Sequence, residues 1–118
     1  MNENIMNPDK TLAALGNDYN PDILRTAYQP HSAQEFSDML DIPIATCYRR
    51  IEELSEAGLL TLHDRVLSDE HRRTNVYRRE IDEINVQFTD DELVLNVTER
   101  PEVKTKLDDV WRRISQDN

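Results

Sequence analysis

Pro43 does most to limit the folds open to this chain. It falls between two amphipathic stretches in QEFSDMLDIPIATCYRRIEELSEAGLL, residues 34–60. Proline fixes its own φ, disfavours helix at the residue before it and suits the first turn of a new helix. The pattern predicts one helix running to about Leu40, a tight turn at Asp41-Ile42-Pro43, and a second helix opening near Pro43. That second helix should end at Ala57-Gly58, where glycine supplies a left-handed cap. Two helices joined by so short a turn make a helix-turn-helix.

Spacing sorts the faces of the second helix. Cys47, Ile51, Leu54 and Gly58 recur at i, i+4, i+7 and i+11, the stripe a helix buries. Ala45, Tyr48, Arg49 and Glu52 point the other way. A small residue near the start, then an aromatic and an arginine, suits the floor of a DNA major groove. Arginine can chelate guanine O6 and N7, and alanine or threonine can touch a thymine methyl. Ala45, Tyr48 and Arg49 are therefore candidate base readers, with Thr46 and Arg50 nearer phosphates. The alternative is an amphipathic helix whose polar face is solvated.

Behind Gly58, Leu59-Leu60-Thr61-Leu62 reads as a strand. A polar excursion, Ser68-Asp69-Glu70-His71-Arg72-Arg73-Thr74-Asn75, leads to a second strand from Val76. Two strands with a charged tip after a helix-turn-helix make a winged helix. Seven of the 14 basic residues lie between Arg49 and Arg79, and no acid lies between His71 and Arg79. In a chain of net charge −10 this island calls for a partner. The phosphate backbone and a narrow minor groove are natural ones, met by His71, Arg72 and Arg73. The alternative is a tip whose arginines pair with Asp69, Glu70 and Glu80.

Residues 12–60, LAALGNDYN through EAGLL, resemble the ArsR-type winged-helix regulators, which commonly open with a leucine-rich helix and an LG break. The likeness extends in outline through the wing to about Glu80. Tyr48-Arg49-Arg50 and the wing sequence His-Arg-Arg-Thr-Asn-Val-Tyr-Arg-Arg look most like the small haloarchaeal branch of that superfamily. The resemblance implies a homodimeric transcription factor that binds double-stranded DNA.

The chain departs from the metal-sensing members of that family. Their Cys-x-Cys pair has no counterpart in Glu35-Phe36-Ser37-Asp38-Met39, and Cys47 is the one cysteine. His31, His63 and His71 show no i, i+4 pairing with one another or with Cys47. A thiolate metal site of the usual kind lacks ligands, and no cofactor is expected. Cys47 has two readings, a buried thiol acting as a small hydrophobe or a redox sensor at the base of the second helix. The latter requires access and a depressed pKa.

A length of 118 residues allows one domain with a modest core. No run of 18 apolar residues exists, and MNENIMNPDK is no signal peptide. A soluble, cytoplasmic protein with no membrane partner is expected, and a lone thiol agrees with that compartment. The 24 acids are dispersed along the chain and lysine is scarce, a pattern resembling proteins adapted to molar salt, with a generic acidic protein as the alternative. Screening to a few ångströms then removes long-range repulsion from DNA but also weakens phosphate attraction. Binding must lean on short-range contacts, which favours arginine over lysine.

Before the helix-turn-helix, Leu12 and Leu15, then Ile23, Leu24, Ala27 and Tyr28, supply apolar helical faces. Asn20 reads as an N-cap with Pro21 in the first turn. Pro30-His31-Ser32 breaks that helix, and Ser32 to Glu35 reads as a capping box. After the wing, Ile84, Val86 and Phe88 alternate, Thr89 to Glu92 turn, and Leu93, Leu95 and Val97 alternate again: a second hairpin. From Pro101, Val103, Leu107, Val110 and Ile114 follow helical spacing with Trp111 beside them. Packing on its own domain is one reading of this segment; the other, which the family resemblance favours, is a dimerisation helix that places two recognition helices about 34 Å apart.

The expected fold is therefore α+β, mainly α: a winged helix-turn-helix domain over residues 1–100 with an extra β-hairpin, and a C-terminal dimerisation helix over 101–118. An enzyme is not expected. With two glycines there is no glycine-rich phosphate loop, and no nucleophile–base signature is present. The rival reading is a winged-helix protein-interaction module that does not touch DNA. The operator, the direction of regulation and any small-molecule effector are not legible in the sequence.

Overall fold

The computed structural model describes residues 7–67 and 71–100. Helix α1 spans Pro8–Gly16, α2 Asn20–Thr26, α3 Ala33–Leu40 and α4 Ile44–Glu56, with a two-residue strand β1, His31–Ser32, before α3. Strands β2, Leu60–Leu67, and β3, Arg73–Arg79, follow as the wing; β4, Ile81–Phe88, and β5, Leu93–Glu99, form a second hairpin. One antiparallel sheet has the order β1-β3-β2 and the other pairs β4 with β5. This mixed α+β arrangement is compatible with a winged helix-turn-helix. Among the described residues helix and strand are both well represented, a mixed α+β chain, and the expected C-terminal helix lies outside them.

The local signals around Pro43 act as expected. Ser32 accepts from the Glu35 N–H at 3.1 Å and Glu35 accepts from the Ser32 N–H at 2.8 Å, completing the capping box. Helix α3 stops at Asp41, which takes the left-handed conformation at φ 56°. The buried Ser37 hydroxyl donates to the Ile42 carbonyl and holds the turn closed. At the other end of α4, Gly58 has φ 77° and donates to Ser55, while Leu59 donates to Leu54 at 2.9 Å. That reciprocal pair ends the helix and satisfies its last carbonyls.

Three local expectations need correction. Tyr19, not Asn20, takes the N-cap place of α2, in a left-handed conformation at φ 73°. The Asn20 amide is instead fully buried and donates to the Ala14 carbonyl and the Glu53 carboxylate. Interior partners outcompete the local backbone for this side chain. His31-Ser32 does more than break a helix, since it pairs with Tyr77 and Val76 and widens the wing sheet. Strand β3 begins at Arg73, three residues before Val76. Pairing with Val66 and Leu67 on β2 extends it without any apolar alternation of its own.

The core lies where the helices meet the base of both hairpins. Ile23, Phe36, Ile42, Cys47, Leu54 and Leu59 are almost wholly buried, and Ile81 and Val97 join them from the second hairpin. Burying side chains of this size stabilises by about 1.5–3 kcal/mol each before entropy is counted. Leu12, expected on the apolar face of α1, is more than a third exposed, and Thr11 and Ala14 take the inner positions.

In the second hairpin, Thr89 and Glu92 close the turn through a backbone bond of 2.8 Å. Register places Ile84, Val86, Phe88, Leu93, Leu95 and Val97 on one face. Leu95 and Val97 are buried, whereas Phe88 at the tip is exposed. The candidate dimerisation residues Val103, Leu107, Val110, Trp111 and Ile114 lie outside the described residues, as do Ser68, Asp69 and Glu70.

Candidate nucleic-acid interface

Helix α4 divides as its spacing requires. Cys47, Ile51 and Leu54 are buried, while Ala45, Tyr48, Arg49 and Glu52 are exposed. Tyr48 is 57% exposed, a large aromatic surface facing water. Pro43 precedes the helix with no capping side chain, and the first turn carries no acid. The N–H groups at this end therefore keep the partial positive charge that favours an anion.

The two arginines of α4 take different roles. The Arg49 guanidinium lies over the helix surface, donating to the Thr46 hydroxyl at 3.2 Å. Arg50 turns the other way, with a nitrogen 3.5 Å from the Glu53 carboxylate and a buried Nε. Glu53 also accepts from Asn17 and Asn20. Burial opposes ionisation of Glu53, but those two amides and the Arg50 charge outweigh it and hold the carboxyl below its usual range. Glu53 thus ties α4 to Asn17 and Asn20, and Arg50 braces that carboxylate from the same helix.

Cys47 is fully buried and its thiol donates to the Ala33 carbonyl at 3.3 Å. Burial pushes its pKa up, which keeps it protonated. The geometry is that of a small core residue.

In the wing, His71 is exposed in a left-handed conformation at φ 61°, and Arg72 and Arg73 follow it, also exposed. Arg73 opens β3 opposite Leu67. A cleft of about 740 Å³ separates the wing from the helices. Gln34 and Tyr48 line its helical side, and Val66, Leu67, Arg72 and Arg73 its wing side. The fold therefore brings Tyr48 and the two wing arginines, far apart in sequence, onto one concave surface.

Sequence reasoning missed the fixed arginines. Arg79 donates to the Ile81 and Leu24 carbonyls at 2.8 and 3.1 Å and approaches Asp82 at 3.6 Å. Arg100 is 3% exposed and donates to the Tyr28 and Arg79 carbonyls. Both guanidiniums lie against the Tyr28 ring, at 5.9 and 4.9 Å from its centre. Only the i, i+3 spacing of Arg79 and Asp82 was visible beforehand; carbonyl acceptors leave no sequence signal.

No cluster of three or more metal-ligating side chains occurs among the described residues. No helix among them is long and apolar enough to cross a membrane. Residues 15–63, from the end of α1 into β2, match the family model for a helix-turn-helix domain. The chain thus carries a helix-turn-helix domain, a class whose usual partner is DNA. A comparison with curated proteins gave no match.

Proposed function

We propose that this chain is a sequence-specific DNA-binding transcriptional regulator of the ArsR-like winged-helix type, acting as a homodimer. Ala45, Tyr48 and Arg49 read base edges in the major groove. Thr46 and the uncapped start of α4 meet phosphate, and His71, Arg72 and Arg73 meet the backbone or minor groove. The observation that carries this reading is the shared cleft joining Tyr48 to Arg72 and Arg73. Arg50 belongs to this surface only at its edge, because Glu53 holds it. A haloarchaeal setting accounts for the acid excess around a basic interface.

The test is selection of duplexes from a random pool by the full chain, followed by binding titrations across salt concentration. A single enriched motif, with affinity falling as salt rises, supports the reading. Arg49→Ala should then cost about 1–3 kcal/mol and relax preference at one base position. A chain that enriches no motif at any salt concentration is a protein-interaction module instead.

A further inference from the structure

Resting on that DNA-binding reading, we infer that base recognition by α4 is dominated by apolar contact with thymine methyl groups, and that Ile44 is one of the reading residues. A helix advances about 100° per residue. On that wheel Ile44, Tyr48, Glu52, Ala45 and Arg49 fall in one sector of about 140°, shared with Ser55 and Glu56 of the last turn and flanking the buried stripe of Cys47, Ile51 and Leu54, which Ile44 borders beside Ile51. Ile44 is 37% exposed and Tyr48 57%, and Ala45 between them is exposed. Over the first three turns of α4, three of the five residues on this face thus offer mainly carbon, the Tyr48 hydroxyl aside.

The polar means of reading bases are few. Arg50 is committed to Glu53. Arg49 is the one guanidinium in the sector, and Glu52 accepts but cannot donate. Tyr48 is the residue of this face that lines the cleft, and across it the wing presents further apolar surface in Val66 and Leu67, bordered by Arg72 and Arg73. An apolar strip edged with cations complements a groove floor of methyl groups edged with phosphates. In the major groove thymine alone among the four bases presents a methyl. Apolar contact also survives high salt, where phosphate attraction is weakened.

The experiment uses the full chain and the duplex it enriches from a random pool. That duplex is remade with deoxyuridine replacing thymidine, one position at a time, which removes only the methyl. Loss of about four-fold in affinity per contacted methyl is expected, from the transfer energy of one methylene-sized group. That ratio should be the same at low and high salt. Ile44→Ala and Tyr48→Ala, both at exposed positions, should each abolish the sensitivity at one thymine. Equal binding of the uracil and thymine duplexes would overturn the inference and leave DNA binding intact. So would an enriched half-site without thymine. Failure to enrich any duplex would overturn the DNA-binding reading, and this inference with it.

Discussion

The Glu53 carboxylate on α4 accepts a 2.8 Å hydrogen bond from the Asn20 amide, 33 residues earlier in the chain. This contact and the one from Asn17 tie α4 to the start of α2 and the end of α1. The orientation of the exposed Tyr48 face therefore depends on polar groups at the rear of the same helix.

Glu53 makes stability depend on pH with a defined sign. Its folded pKa lies below the ordinary carboxylate value of about 4.3. The stabilisation is fully present above that ordinary value and is lost as pH falls through the lower folded one. Chemical denaturation at pH 7 and pH 3 should show a larger loss for wild type than for Glu53→Gln. Asn20→Asp, nearly the same shape, sets a second carboxylate against Glu53 and should cost about 3–5 kcal/mol at pH 7.

For the wing, the expected signature is electrostatic. Replacing Arg72 and Arg73 with Ala should weaken binding to all duplexes alike. The slope of log affinity against log salt should flatten by about one unit per lost phosphate contact. Filter binding or fluorescence anisotropy over a salt series reads both effects. An unchanged slope would move the phosphate contacts off the wing.

Cys47→Ser buries a hydroxyl in the core, beside the Ala33 carbonyl, and should lower stability by about 1–3 kcal/mol. Peroxide should leave DNA binding of wild type and mutant alike, because the wild-type thiol is buried and protonated. Reversible, Cys47-dependent loss of binding would make oxidant the effector and overturn this expectation.

Self-association is proposed to run through residues 102–116. Changing Leu107 and Val110 to Asp should shift the chain from dimer to monomer in light scattering. A dimer that persists would place the interface on the helices before residue 60 or on the exposed tip of the second hairpin, where Phe88 is 82% exposed.

Much of this architecture is written locally. Pro43, the Ser32–Glu35 box, Gly58 and the alternation of Leu93, Leu95 and Val97 each act within one turn or one strand, so spacing alone reveals them. What escaped is polar and distant. Asn20 reads as a cap because caps favour asparagine, yet its partners on α1 and α4 are supplied only by packing. Arg50 and Arg79 read as members of one basic island, but the fold withdraws both into fixed contacts with Glu53, Leu24 and Ile81. Arg73-Thr74-Asn75 reads as loop because exposed strand edges carry no apolar alternation. On the candidate interface, the outward set on α4 followed from helical period. That Tyr48 and Arg73 share a cleft did not, because it depends on how the wing folds back.

Arg100 gives the end of the second hairpin a mechanical short cut. Its guanidinium binds the Arg79 carbonyl, 21 residues back, and the Tyr28 carbonyl, 72 residues back. A pull or twist delivered at Arg100 therefore need not travel the length of β4 and β5. It arrives directly at the last residue of the wing strand and at the segment between α2 and α3, so load on the base of the second hairpin is borne by the two elements that flank the cleft.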